Sequence, residues 1–133
     1  MGKFTLQVGA FAKRAGINCD LVARKVGIEM ASQIVLRTPV KTGRARGNWN
    51  TTIGSANYAV TESFDKAGAA TIAEAAATLS GFRCGPSIWI ANGLPYIGKL
   101  ENGSSIQAPG GMVAVTVTEF RGMIGRAARE VNR

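Results

Sequence analysis

From Asn18 to Thr38 apolar residues return at helical spacing, and Pro39 closes the run. Proline disfavours helical geometry in the residue before it, so one long helix must stop near Thr38. Asn18 suits the N-cap, where a short polar side chain accepts a hydrogen bond from the first turn. This helix carries two apolar rows. Leu21, Ile28 and Val35 lie a heptad apart; Val22, Val26, Met30 and Ile34 follow one another at steps of four on a different side. A helix covering a single core needs one stripe. Two rows imply burial on two sides, either sandwiched within its own domain or shared with a neighbouring subunit. On the second reading, Val22, Val26, Met30 and Ile34 form a candidate inter-subunit face.

Other segments read less uniformly. Phe4, Val8, Phe11 and Ala15 keep four-three-four spacing, which predicts a short amphipathic helix interrupted near Gly16. After Pro39, Gly43 and Gly47 mark a loop. Residues 48–53, with Trp49 and two threonines, read as a strand, and residues 54–66 as an irregular surface loop. The alanine-rich stretch 68–79 predicts a helix with Ile72, Ala76 and Leu79 on one side. Ser87–Ala91 is a short apolar strand bounded by Pro86 and Asn92-Gly93; a new element begins at residues 94–97, and Asn102-Gly103 signals a turn. Near the C-terminus Val113, Val115 and Val117 alternate like a strand. The longer four-three-four series through Val113, Val117, Phe120, Ile124, Ala127 and Val131 outweighs that alternation. It predicts one helix over residues 111–130. The expected architecture is a single α+β domain over 1–133, a small sheet with long N-terminal and C-terminal helices packed on one side.

Length and composition narrow the chemistry. A chain of 133 residues, 46% hydrophobic and 18% charged, suits one globular domain with a modest core. Sixteen basic against eight acidic residues give a net charge of +8. That balance favours nucleic acid, anionic surfaces or acidic proteins as partners, although scattered surface lysine and arginine produce the same count. The chain has no histidine, which removes the commonest general base, the usual catalytic triad and most zinc sites. Its eight acids show no paired spacing, and no enzymatic activity, cofactor or metal is expected. Cys19 and Cys84 are too far apart to form a disulfide framework or a metal motif, so two buried free thiols in reducing surroundings are expected. No signal-peptide pattern or membrane-length apolar run occurs, and the Asn50 and Asn102 glycosylation-like triplets then read as chance.

Several side chains are candidates for contact. Lys41, Arg44 and Arg46 flank the glycines of Lys41-Thr42-Gly43-Arg44-Ala45-Arg46-Gly47. The segment lacks the Gly-Lys-Ser/Thr ending of a P-loop. A docking arm for a neighbour or for DNA phosphates fits it better, with a solvated turn as the plain alternative. Trp49 and Trp89 read as core, each needing a partner for its indole N–H. Tyr96 suits an interface anchor or the core. In Leu100-Glu101-Asn102-Gly103 the glycine suits a positive-φ turn, and Glu101 is a candidate partner for an arginine across a subunit boundary.

Three stretches taken in order carry a resemblance. They are RTPVKTGRARGNWN at 37–50, SIWIANGLPYIGKLENGSSIQAPGGM at 87–112, and the helix that follows. Together they resemble the putative tail-component family of tailed bacteriophages. Those proteins join a long helix to a Thr-Pro-Val turn, a Thr-Gly-Arg loop and a tryptophan-bearing strand. An aromatic strand, a Leu-Glu-x-Gly turn and a Gln-Ala-Pro-x-Gly-Met segment come later. Lys41 stands where an aspartate is common, which alters the charge of that loop.

The resemblance implies a structural virion protein of the neck or head–tail junction, a ring that completes the tail and joins it to the head. It implies a homo-oligomer, hexameric or alternatively dodecameric. The partners would be a head-completion, connector or portal-side protein above and a tail-tube or tail-terminator protein below, with genomic DNA passing through the lumen. The setting would be the virion, after assembly in the host bacterial cytoplasm, with no membrane involved. On this reading the row Val22, Val26, Met30 and Ile34 is the candidate ring-packing helix face. Lys41, Arg44, Arg46, Tyr96 and Glu101 are candidates for the subunit interface or the DNA-facing surface. A basic nucleic-acid-binding module is the competing expectation, and it predicts DNA binding that weakens steeply with salt.

Overall fold

A computed structural model describes residues 2–6 and 18–131. Its elements in chain order are β1 (Gly2–Leu6), α1 (Cys19–Arg37), α2 (Arg44–Gly47), β2 (Trp49–Ile53), α3 (Ala69–Leu79), β3 (Ile88–Asn92), α4 (Ile97–Glu101), α5 (Val113–Val117) and α6 (Phe120–Val131). The fold is α+β, a small antiparallel sheet with helices packed on one side.

The three strands lie in the order β1-β3-β2. The apolar run 88–92 occupies the centre, with Gly2 to Leu6 opposite Asn92 to Ile88 on one edge and Trp49 to Ile53 opposite Asn92 to Ile88 on the other. A central strand can be apolar along its length because both its neighbours and the layers above shield it. Ile88 and Ile90 are fully buried. At Gly2–Leu6 the expected helix is replaced by strand β1; the remainder of that expectation, residues 7–15, lies outside the described residues. The spacing Phe4–Val8 suits a helix, but β3 offers Phe4 a partner at Ile90 that local periodicity cannot reveal.

Helix α1 begins and ends where its sequence signals lie. The Asn18 side chain accepts from the Leu21 N–H (3.2 Å), and Thr38, extended before Pro39, closes the far end. The helix lies between α3 on one side and α5 and α6 on the other. Val22, Val26, Met30 and Ile34 are all fully buried in this core. They are therefore not a ring-packing face, because the subunit's own helices already cover them. Ala23, Gly27 and Ala31 run beside this row and are buried as well. Small residues there let the helix sink between its neighbours. The heptad row divides: Val35 is buried, Ile28 half-buried, and Leu21 41% exposed. The sandwiched reading of the two rows is the one observed.

The C-terminal segment is two helices, with a turn at residues 118–119, where one was expected. β-branched residues at 113, 115, 116, 117 and 118 crowd the preceding turn, and threonine hydroxyls compete for helical carbonyls. Thr116 donates to the Met112 carbonyl (2.7 Å) and Thr118 to that of Val115 (2.6 Å). Arg37, at the end of α1, holds the elbow by donating to Thr116 Oγ1 (2.9 Å) and pairing with Glu119. Beyond the elbow, α6 lies along α1, its Met123, Ile124 and Ala127 buried and its Arg126 and Glu130 paired with Glu29 and Lys25.

Cys19 and Cys84 form a disulfide, with Cα atoms 6.1 Å apart, which corrects the expectation of free thiols. A sequence separation of 65 hides the proximity, which arises because the turn after α3 returns to the first turns of α1. Two hydrogen bonds hold it there. Asp20 Oδ1 accepts from the Cys84 N–H and Arg24 Nε donates to the Phe82 carbonyl, both at 2.7 Å. Among the described residues no helix is long and apolar enough to cross a membrane.

Candidate interaction site

The segment after Thr38 is a clasp whose glycines are seats for another strand of chain. At Gly43, in left-handed geometry (φ 89°), an added Cβ would lie 2.5 Å from the Lys66 backbone nitrogen; at Gly47 it would lie 2.6 Å from the Ser63 carbonyl. Only residues without a side chain admit the irregular 54–66 segment this closely. Asn48 fixes the same segment through its amide. Its Nδ2 donates to the carbonyls of Arg44 (2.8 Å) and Thr61 (3.2 Å), and its Oδ1 accepts from the Thr61 N–H (2.8 Å). The segment ends at Asp65, whose carboxylate caps α3. Oδ1 accepts from the Gly68 N–H (3.0 Å), while Oδ2 accepts from the N–H (2.8 Å) and hydroxyl (2.7 Å) of Thr71. Burial alone would raise the Asp65 pKa. The hydrogen bonds from Thr71, Gly68 and Ala70 favour the charged form more strongly and hold it below the ordinary value of 3.8.

Arg46 is the staple of the clasp. Nε donates to the Thr38 carbonyl (2.9 Å), Nη2 to that of Leu36 (2.8 Å) and Nη1 to that of Lys66 (2.7 Å). Its donors satisfy carbonyls left over at the end of α1 and tie them to the 54–66 segment. The three bonds give Arg46 a structural role within its own subunit. Trp49 is buried beneath it, and its Nε1 donates to Thr38 Oγ1 (2.8 Å), whose own proton goes to the Ile34 carbonyl (2.7 Å).

Glu101 also turns inward. Its Oε1 accepts from the N–H groups of Met112 (3.0 Å) and Val113 (2.9 Å), and its Oε2 from that of Ala114 (2.9 Å). It fastens the start of α5 with three of its acceptor positions. Gly103 has the positive φ expected of it (86°) and seats the Pro109 carbonyl 2.4 Å from where a Cβ would stand.

Between these two fastened stretches runs an open groove of about 550 Å³, walled by residues 39–45 on one side and by Tyr96, Leu100, Ser105 and Gln107 on the other. Gln107 joins the walls as a strand partner would. Its Oε1 accepts from the Val40 N–H (2.9 Å) and its Nε2 donates to the Val40 carbonyl (3.2 Å). The structure thus brings Lys41, Arg44 and Tyr96 together and withdraws Arg46 and Glu101. Lys41 is exposed and Tyr96 38% exposed on the groove. Ile106, beside Gln107, is 98% exposed. Gln107, Asn48 and Asp65 were not singled out from sequence. Their roles depend on backbone groups far along the chain, and no spacing rule reports those. Among the described residues no group of histidine, cysteine, aspartate or glutamate is placed to hold a metal ion.

No protein-family model, curated protein or solved structure matches the chain.

Proposed function

We propose that this chain is a structural subunit of the neck of a tailed bacteriophage, a ring protein that completes the tail and joins it to the head. One observation carries the reading. The two motif stretches behind the phage resemblance, 37–50 and 87–112, meet in space and are clasped by Gln107 and Val40 around a groove lined by exposed Tyr96, with exposed Ile106 next in sequence to Gln107. Exposed Tyr96 and Ile106 give this part of the surface apolar area for a partner to cover.

A closed ring needs two different patches on each subunit, meeting head to tail. Tyr96 and Ile106 supply one. Val60 and Phe64, exposed on the 54–66 segment, supply a second, distinct in sequence and chemistry. Six copies, alternatively twelve, would close the ring, with genomic DNA in the lumen, a connector or portal-side protein above and a tail-tube or terminator protein below. The chain would be assembled in the host bacterial cytoplasm. The Cys19–Cys84 bond would close once particles leave that reducing compartment.

Light scattering coupled to size exclusion tests the ring, and antibody labelling of tailed particles tests its place. Closed oligomers lost in Ile106→Asp, with label at the head–tail junction, are the expected results. A chain that stays monomeric at all concentrations and is absent from particles ends the proposal. The net charge of +8 favours a second reading, a nucleic-acid-binding module. That reading requires DNA affinity that falls steeply with salt, independent of any oligomer.

A further inference from the structure

We infer that the groove between residues 39–45 and Tyr96 is a docking site for an extended, acidic segment of a partner protein, in which a carboxylate meets Arg44 and Lys41. The groove shares Tyr96 with the proposed ring patch but takes a different occupant, and Lys41→Glu, which lies outside that patch, separates the two.

Charge comes first. None of the residues that wall the groove is acidic, while Lys41 and Arg44 both belong to it. The Arg44 side chain is only 33% exposed, and its Nε is buried with no acceptor among the described residues. Its terminal nitrogen lies 3.7 Å from a Glu62 oxygen, beyond a good hydrogen bond, and Glu62 is itself 83% exposed. Such a pair is weak and easily exchanged. A guanidinium whose terminal nitrogens hold only a loose counter-ion is prepared for a forked contact with an incoming carboxylate.

Shape and polarity select the rest of the occupant. The volume is of the order usual for ligand sites, roughly 300–1,000 Å³, and the site is partly open to solvent, which leaves room for a chain segment to enter and leave. Val40 and Leu100 offer apolar wall, and Tyr96 presents a ring with a hydroxyl at its tip. An extended peptide places alternate side chains on opposite sides, so acidic residues facing Arg44 and Lys41 can alternate with apolar ones facing Val40, Leu100 and Tyr96. A phosphodiester would satisfy Arg44 equally but leaves the apolar wall uncovered.

The test is fluorescence anisotropy on the full chain with a labelled peptide alternating leucine and glutamate. The comparison ligands are its leucine–lysine counterpart and an oligothymidylate of matching length. The acidic peptide is expected to bind, with affinity lowered by about tenfold or more in Arg44→Gln and in Lys41→Glu, the loss of a charge-assisted contact. Tyr96→Ala should weaken it as well, and Arg129→Gln, exposed on α6, should leave it unchanged. Lys41 and Tyr96 are exposed, so their variants carry the test if Arg44→Gln does not fold. Three results overturn the inference: no binding of the acidic peptide, equal weakening by Arg129→Gln, or tighter binding of oligothymidylate that depends on the same residues.

Discussion

The two ends of α1 are fastened by different chemistry. At its start a covalent bond from Cys19 to Cys84 is accompanied by hydrogen bonds with the 80–87 turn, one accepted by Asp20 and one donated by Arg24. At its finish there is no covalent tie; Thr38, Arg46 and Trp49 exchange hydrogen bonds around a buried indole, and Arg37 reaches Thr116 and Glu119. The first device acts mainly by restricting the unfolded chain. The second acts wholly in the folded state, and the groove wall at residues 39–45 is built on it. Loosening the first end should therefore cost stability and spare the groove, whereas loosening the second should cost both.

Trp49→Ala is the strongest probe of the contrast. Loss of a buried indole should cost about 3–5 kcal/mol by denaturant titration and abolish binding at the groove. A cost near that of a surface substitution would mean the far end is not part of the core. Removing the disulfide, as Cys19→Ser with Cys84→Ser, comes next. Loop-closure arithmetic over the 65-residue separation gives a loss of up to about 4 kcal/mol, with measured cases spanning about 2–4. Binding at the groove should be unchanged, and a parallel loss of binding would erase the distinction between the two ends. Arg46→Met should cost about 2 kcal/mol by leaving the Leu36, Thr38 and Lys66 carbonyls without their donor. Proteolysis should then cut first within 54–66; unaltered cleavage would show that Arg46 does not hold that segment.

Asp65→Asn is the smallest perturbation, about 1 kcal/mol, the scale of a lost helix cap. Its sign with pH is definite. The native carboxylate sits below its unfolded pKa, so its contribution is complete above the unfolded value and disappears as pH falls through the native one. Wild type and variant should therefore converge in stability in acid and separate toward neutrality. A constant difference across that range would remove Asp65 as the source.

Local signals were legible in the sequence wherever structure is decided locally. Asn18 and Pro39 bracket α1, alanine content marks α3, and Trp49 and the 88–92 run mark two strands. What was not legible depends on distant partners. β1 is a strand because β3 is available to it, and Cys19 meets Cys84 because a turn folds back. Site residues divide the same way. Lys41, Arg44 and Tyr96 line one groove, a proximity that no spacing in the sequence reports, while Arg46 and Glu101 bond backbone groups that leave no mark in a side-chain pattern. The C-terminal break at residues 118–119 was masked because the apolar spacing continues across it, while Thr116 is the residue actually buried.

The position of β3 has a temporal consequence. The middle strand of the sheet is the last of the three to be synthesised, so Gly2–Leu6 and Trp49–Ile53 both leave the ribosome with no strand to pair with. Until Asn92 has emerged, nascent chains can form α1 and α3 but not the sheet, and closing pairs so remote in sequence is the slow part of folding. A chain truncated before Ile88 should accordingly be helical, lack strand structure and be readily digested.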